Sequence, residues 1–490
     1  MLFNSYEFIF LFLPITLIVF FFLNRIRLTI AANAWLLFAS LFFYSWWNIK
    51  YLPLILGSIL FNYTIGSLMI DVDSQKKRFV SKGAILTFGL VANILFLGYF
   101  KYMDFFLENV NMVFGTDITL LHIVLPLGIS FFTITQIAFL VDSYEGLVQE
   151  RKLLNYALFV TFFPHLLAGP ILHHKEMMPQ FDRIKNKVLN YRNFSLGLYL
   201  FFIGLFKKVA LADQFSVWAK AGFDVAPSLG LLEAWTTSLC YTFQLYFDFS
   251  GYSDMAIALG LMFNIKLPVN FNSPYKATGV VDFWKRWHIT LTNFITTYVY
   301  TPILRSFKSI TFAHSMVAIF LAMFISGVWH GAGWTFVIWG SLHGAGLVIN
   351  HYWKRKKIKM HRFLAWFITF NFINLSFVFF RAKDWAAAMK VFKGMVGQSG
   401  VILPRFLGNL PIIGDLDFQF DKHWLAGIQG KDQTVWYLLV AFIVVLTAKN
   451  SIQMTDSFKP SWKSFLFLVL IAFYALLNMS KVSEFLYFQF

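Results

Sequence analysis

The feature that most constrains this chain is the recurrence of apolar runs long enough to cross a bilayer. Continuous hydrophobic stretches occupy residues 8–23, 28–47, 52–70 and 85–100, and similar runs continue through most of the sequence. A helix needs about 20 predominantly apolar residues to cross the hydrocarbon core. Inside that core every backbone polar group must find its partner within the protein. Membrane β-strands alternate apolar and polar positions and give weaker signals, whereas these runs are unbroken. The sequence therefore predicts an all-α, polytopic transmembrane helical bundle of roughly ten to twelve spans. Composition agrees: 58% of the 490 residues are hydrophobic and only 13% are charged, which excludes an ordinary soluble protein. Residues 1–7 carry no basic cluster and no small-residue cleavage site follows, so the first run is expected to stay as helix one rather than act as a signal peptide.

A formal net charge of +17 would suit a nucleic-acid partner. Here, however, the cations cluster in short loops between the runs, as topology determinants do. No nucleic acid is expected. The candidate cytoplasmic loops are Lys76-Lys77-Arg78 with Lys82, Arg151-Lys152, Arg183 with Lys185 and Lys187, and Lys354-Arg355-Lys356-Lys357 with Lys359 and Arg362. Such loops also suit membrane lipid of negative charge or an acidic donor carrier.

No internal repeat is visible, so residues 1–490 are read as one integral-membrane domain. Residues 1–115 are expected to form peripheral scaffold helices without chemistry. Residues 116–350 form the core, where Gly, Pro, Asn, Asp and His interrupt the apolar runs as they do in helices that break around a protected cavity. Residues 351–490 are expected to be C-terminal helices around a polar segment, 381–433, of amphipathic or extramembrane character that offers a partner surface.

The chemistry is expected in the core. In Ser326-Gly327-Val328-Trp329-His330-Gly331-Ala332-Gly333 an imidazole lies deep in apolar sequence, and in Asp282-Phe283-Trp284-Lys285-Arg286-Trp287-His288 another follows tryptophan. An ionisable group inside a membrane span is costly and marks function by default. Asp282 is expected to cap a helix that places Trp284, Trp287 and His288 on one face. Gly327, Gly331 and Gly333 make room beside His330 for a backbone or an acyl chain, as Gly340, Gly344 and Gly346 do around His343. Leu125-Pro126-Leu127-Gly128 reads as a kink whose freed backbone groups meet Ser130 or Thr133. Phe162-Phe163-Pro164-His165, running on to Gly169-Pro170, reads as a re-entrant segment.

Asp248 and Asp254, in Phe247-Asp248-Phe249-Ser250-Gly251-Tyr252-Ser253-Asp254, need partners when buried. Backbone ends, hydroxyls or a basic residue such as Lys285 or Arg286 are the expected partners, and Asp254 suits an N-cap of the run that follows. No metal is expected at His165, His173 and His174, because no carboxylate cluster accompanies them in sequence. Cys240 stands alone in an apolar stretch and reads as an inert buried thiol. No phosphate-binding Gly-rich loop and no Gly-x-Ser-x-Gly elbow is present.

Three segments together resemble the membrane-bound O-acyltransferase family: Phe283 to Thr290, Ser326 to Gly331 and Tyr246 to Asp254. The opening Leu2-Phe3-Asn4-Ser5 and the Ala168-Gly169-Pro170-Ile171 segment are similar to its bacterial alginate and peptidoglycan O-acetyltransferase branch. His165 departs from that pattern and receives no catalytic role. The resemblance implies a multi-pass protein of the bacterial cytoplasmic (inner) membrane with broken helices around a central acyl-transfer cavity. It implies transfer of an acetyl group from a cytoplasmic thioester, acetyl-CoA being the simplest donor, to an exported polysaccharide, with no bound cofactor and with an extracytoplasmic acetyltransferase as partner. His330 is then the catalytic base and His288 a second catalytic residue, best used as donor to a developing oxyanion. Trp329, Trp284, Trp287, Asp248, Ser250 and Tyr252 are the expected substrate-binding residues. Two other readings stay open at this point: D-alanyl transfer to teichoic acid, and a transporter or flippase without acyl chemistry.

Overall fold

The computed structural model describes residues 1–74, 81–148, 152–410, 418–479 and 486. Two of the expected loop clusters, Lys76-Lys77-Arg78 and Arg151, fall outside the described residues. Among the described residues the regular structure is helical, apart from one parallel pair of short strands, Ile402–Pro404 with Gln419–Asp421, inside the polar C-terminal segment. Six helices are long and apolar enough to cross a membrane: Phe8–Arg25, Ile49–Asp71, Lys82–Phe114, Tyr191–Val225, Phe312–His330 and Arg362–Arg381. Four shorter apolar helices, Thr29–Ser45, Ile129–Tyr144, Asp432–Thr447 and Trp462–Asn478, accompany them. The bundle architecture is the one the apolar runs predict.

At the centre runs Leu231–Met262, a 32-residue helix buried almost along its whole length. It is too polar to read as a lipid-facing span because every side of it faces protein. Tyr191–Phe206 packs along it, with Gly204 against Gly251. A Cβ on Gly204 would fall 2.6 Å from the Gly251 carbonyl oxygen, and one on Gly251 would fall 2.7 Å from that of Gly204. Only glycine permits that approach, and small residues are what let membrane helices close up in this way.

After Phe206 the helix widens into a π-turn, Lys207–Ala212. Such insertions re-aim side chains, and this one directs two lysines at the central helix. Lys208 Nζ lies 2.5 Å from Asp248 and 2.9 Å from Asp213, while Lys207 Nζ lies 2.7 Å from Asp254 and 3.4 Å from Ser250 Oγ. The basic partners of these aspartates are thus Lys207 and Lys208, not Lys285 or Arg286, while the expected hydroxyl partner is present at Asp254, where Ser451 Oγ donates at 2.8 Å. Asp254 is no N-cap either. It sits in the interior of Leu231–Met262, because the helix runs straight through Ser253-Asp254 once a lysine neutralises the carboxylate.

The segment after Thr161 is irregular and wholly enclosed, from Phe162 to Leu172. Side chains satisfy its freed backbone groups, as non-helical backbone at membrane depth requires. His165 Nε2 bonds to the Phe159 carbonyl at 2.9 Å, Phe163 N–H donates to Ser40 Oγ at 3.2 Å and Ile171 N–H to Thr290 Oγ1 at 3.0 Å. The Pro126-Gly128 motif is not a kink. It is the entry to Ile129–Tyr144, with Gly128 as a left-handed N-cap at φ 72°, where a Cβ would lie 3.0 Å from the Leu166 carbonyl oxygen.

Candidate active site

His330 ends the helix Phe312–His330, and the extended Gly331 stops it there. The helix packs on Trp334–Arg355 through facing glycines: a Cβ on Gly327 would lie 2.8 Å from the Gly340 Cα, and one on Gly340 would lie 2.6 Å from the Met323 carbonyl oxygen. The room these glycines make is therefore taken by backbone, and the ring of Phe336 fills the space at Gly331. His330 is held between rings, with centroids 4.9 Å from Trp329, 5.0 Å from Trp339 and 5.2 Å from Phe380. It also borders a cavity of about 40 Å³ shared with Lys101, Ser130, Phe131, Leu167 and Trp329. That is room for a few water molecules.

Lys101 is the residue that sequence reasoning missed. It belongs to Lys82–Phe114, inside the region read as scaffold, and its ammonium reaches the last carbonyls of the His330 helix. Its Nζ donates to the Trp329 carbonyl at 2.7 Å, the His330 carbonyl at 3.0 Å and Ser130 Oγ at 3.2 Å. Tyr102 supports it by donating to the Val328 carbonyl at 2.7 Å. A cation at a helix C-terminus answers the orphan carbonyls and the dipole together. The signal was a lysine closing the apolar run 85–100, which reads equally well as an interfacial flank.

His288 is brought to the same region. It is enclosed like His330, with its ring edge-on to Phe249 at 4.7 Å between centroids. The helix expected through residues 284–288 does not exist. Val280–Trp284 ends before Lys285, its N-cap is Gly279, and Asp282 lies in its first turn, paired with Arg286 at 2.9 Å. His288 is instead the N-cap of Ile289–Ile295, at φ 44°. Asn270 enforces the break. Its carbonyl accepts Ile289 N–H at 3.0 Å, and its Oδ1 takes Thr290 N–H at 3.3 Å, Thr290 Oγ1 at 3.0 Å and His288 Nδ1 at 3.1 Å.

A backbone N–H can only donate, so the Asn270 atom is an oxygen and His288 carries its proton on Nδ1. In the neutral ring the lone pair is therefore on Nε2. This alters the expected role: Nε2 of neutral His288 accepts a hydrogen bond and does not donate one to an oxyanion. Two indoles offer the donors instead. Trp329 Nε1 and Trp339 Nε1 are buried without an acceptor among the described residues, and both rings touch His330.

The other expected site residues have structural tasks. Trp284 Nε1–H donates to His343 Nδ1 at 3.2 Å, and His343 Nε2 bonds Ser376 Oγ at 2.9 Å. Trp287 packs among Phe271, Phe283 and Phe377. Tyr252 stacks on Phe3 at 4.8 Å. Asp248 and Ser250 belong to the lysine layer of the central helix. The reasoning against a carboxylate near the histidines needs correction: Asp142 lies 2.9 Å from His173 Nε2 and 3.0 Å from His174 Nδ1, with Tyr298 donating to it at 3.0 Å. Asp142, His173 and His174 each bring one ligand atom within 4.8 Å of the other two, a spacing that suits an ion. Lys175 N–H, however, donates to His173 Nδ1 at 3.4 Å, which leaves the proton on Nε2 and makes the group a hydrogen-bonded cluster. His165 stands apart from it.

The fold and site are those of a helical membrane bundle with two enclosed histidines at broken helix ends, a position that marks function in a membrane protein. Residues 41–383 match the model of the membrane-bound O-acyltransferase family, and the chain belongs to that family. It is 45% identical to the peptidoglycan O-acetyltransferase of Helicobacter pylori, covering 100% of this chain and 98% of the relative. It is 39% identical to a probable alginate O-acetylase AlgI of Pseudomonas aeruginosa, over 81% of this chain and 75% of that protein. Similarity extends to the teichoic acid D-alanyltransferase of Streptococcus thermophilus, at 29% identity over 52% of this chain and 68% of that protein.

Proposed function

We propose that the chain transfers an acetyl group from a cytoplasmic thioester, acetyl-CoA, through the bundle for O-acetylation of an exported polysaccharide, peptidoglycan or an alginate-like polymer. The observation that carries this reading is the placement of His330. It is an enclosed imidazole at a helix end, held by Lys101 through its own carbonyl, bordering a cavity sized for a short acyl group.

In this reading His330 removes the proton of the attacking hydroxyl as the oxygen reaches the thioester carbon. The indole N–H groups of Trp329 and Trp339 receive the oxyanion, and collapse of the intermediate expels the CoA thiolate, which recovers the proton from the His330 imidazolium. His288, with its lone pair on Nε2, orients the acceptor hydroxyl. Trp284, Trp287, Asp248, Ser250 and Tyr252 shape the site from behind rather than touch substrate. The end of the bundle bearing the basic loops faces the cytoplasm, in the inner membrane, and a separate extracytoplasmic acetyltransferase completes delivery to the sugar. Acetylation is favoured over D-alanylation because the full-length relative acetylates peptidoglycan by name, whereas similarity to the D-alanyltransferase covers about half of this chain.

The test is reconstitution in proteoliposomes with acetyl-labelled CoA on the side of the basic loops, following label on an acceptor hydroxyl and release of CoA thiol. Wild type should transfer label, and His330→Gln should lose about two or more orders of magnitude. Transfer from a D-alanyl carrier protein instead would select the teichoic-acid reading. Passage of substrate that survives His330→Gln would select a transporter.

A further inference from the structure

Far from His330, at the end of the bundle that carries Lys152 and Lys187, lies a pocket of about 1380 Å³. Its polar floor is a chain of hydrogen bonds. Lys187 Nζ donates to Asn33 Oδ1 at 2.6 Å, Asn33 Nδ2 donates to the Phe181 carbonyl at 3.3 Å, and Asn155 Nδ2 donates to Asp182 at 3.0 Å. Asp182, the acidic group of the lining, is already paired with Lys152 at 2.6 Å. Lys187 is held by a neutral amide. Arg25 and Arg27, at the end of the first span, make no ion pair and no side-chain hydrogen bond with any described residue. Arg27 sits at φ 64°, just past the helix end, where the chain turns back toward Thr29–Ser45. Three cations thus line one cavity without a carboxylate of their own among the described residues.

The walls point to what neutralises them. Phe22, Ile30 and Leu189 line the same pocket with their side chains turned outward, Phe22 being 58% and Ile30 77% exposed. A free anion has no use for such walls, whereas a lipid places its phosphate among the cations and its acyl chains along the apolar flank. Guanidinium groups suit this task, since their planar fork takes two phosphate oxygens at once. Basic pockets between membrane helices bind acidic headgroups for the same reason. We propose that the pocket formed by Arg25, Arg27 and Lys187 binds the phosphate of an acidic glycerophospholipid. This is independent of the acyl chemistry and binds the first two helices to the Leu153–Thr161 and His174–Asp182 segments through a lipid.

The test uses the purified full chain in detergent and native mass spectrometry with three probes: phosphatidylglycerol, phosphatidylcholine and free glycerol 3-phosphate. Each cation near an acidic surface is worth about fivefold in retention. Phosphatidylglycerol should therefore remain on the wild type and fall roughly 25-fold on Arg25→Gln/Arg27→Gln, with Arg25→Lys/Arg27→Lys recovering only part of the loss, because an ammonium keeps the charge without the fork. Equal retention by wild type and the Gln pair, with unchanged melting temperature, would overturn the proposal. Equal retention of phosphatidylcholine would overturn it as well. Displacement of phosphatidylglycerol by glycerol 3-phosphate at comparable concentration would show a free-phosphate site and refute the lipid assignment. If the Gln pair misfolds, Lys187→Gln supplies the same comparison with one charge removed.

Discussion

Replacing Asn270 by alanine is expected to damage catalysis out of proportion to its distance from any bond being made. One oxygen, Asn270 Oδ1, accepts from His288 Nδ1, Thr290 N and Thr290 Oγ1 at 3.0–3.3 Å, all buried. Removing it orphans three donors that share one acceptor, and a buried unsatisfied group costs about 1–3 kcal/mol. Allowing for relaxation, a stability loss of about 2–4 kcal/mol follows. The second effect is on His288 itself. An orphaned buried donor costs about 1–3 kcal/mol, so this bond holds the ring in that tautomer by roughly 5–100-fold. Without it, the fraction of His288 with its lone pair on Nε2 falls from near unity to about one half or less, and turnover per folded molecule falls with it by about two- to fivefold.

The assay is labelled acetyl transfer per folded molecule in proteoliposomes, with thermal melting of the same preparation. Thr290→Val is the control. It removes one of the three bonds, and the acceptor of Ile171 N–H with it, but leaves His288 held, so it should lower the melting temperature while leaving turnover near wild type. Asn270→Ala with wild-type turnover per folded molecule would refute the tautomer argument. So would a loss of turnover in Thr290→Val as large as that in Asn270→Ala.

Three further outcomes follow from the same geometry. Lys101→Met removes the cation that caps the His330 helix and should cut turnover at least tenfold, with a stability loss of about 1–3 kcal/mol by thermal melting. Trp339→Phe keeps the ring beside His330 and deletes only its N–H, so turnover should fall about 10²-fold or more, as for loss of an oxyanion donor, while the melting temperature stays close to wild type. Lys208→Met strands Asp248 in the core, takes the cation from Asp213 as well, and should cost about 3–5 kcal/mol, whereas Lys208→Met/Asp248→Leu, which removes the deeper carboxylate but leaves Asp213, should recover part of that loss, read by thermal melting.

Much of this was legible in the sequence because membrane helices are written in long apolar runs. The bundle and the enclosed break around Pro164 follow from where polar groups interrupt those runs, and the same interruptions single out His330 and His288 as candidates. What stayed hidden depends on pairings between distant segments. Asp248 and Asp254 announced that they needed partners, but nothing local says that a π-turn some forty residues earlier aims Lys207 and Lys208 at them. Lys101 looked like a flank, because a lysine after an apolar run has the same sequence signature whether it meets headgroups or the carbonyls of another helix. The break before His288 was missed since its cause, Asn270, acts through hydrogen bonds across a loop. The glycines around His330 were read correctly as close-approach residues, but sequence leaves open whether backbone or ligand makes the approach.

The central claim is that His330 carries acetyl transfer to a cell-surface polymer. Its most direct measurement is acetate released by mild base from peptidoglycan and exopolysaccharide of a deletion strain complemented with wild type or with His330→Ala at matched membrane levels. The account predicts that only wild type restores acetate, in one identifiable polymer. Equal restoration by both would contradict it.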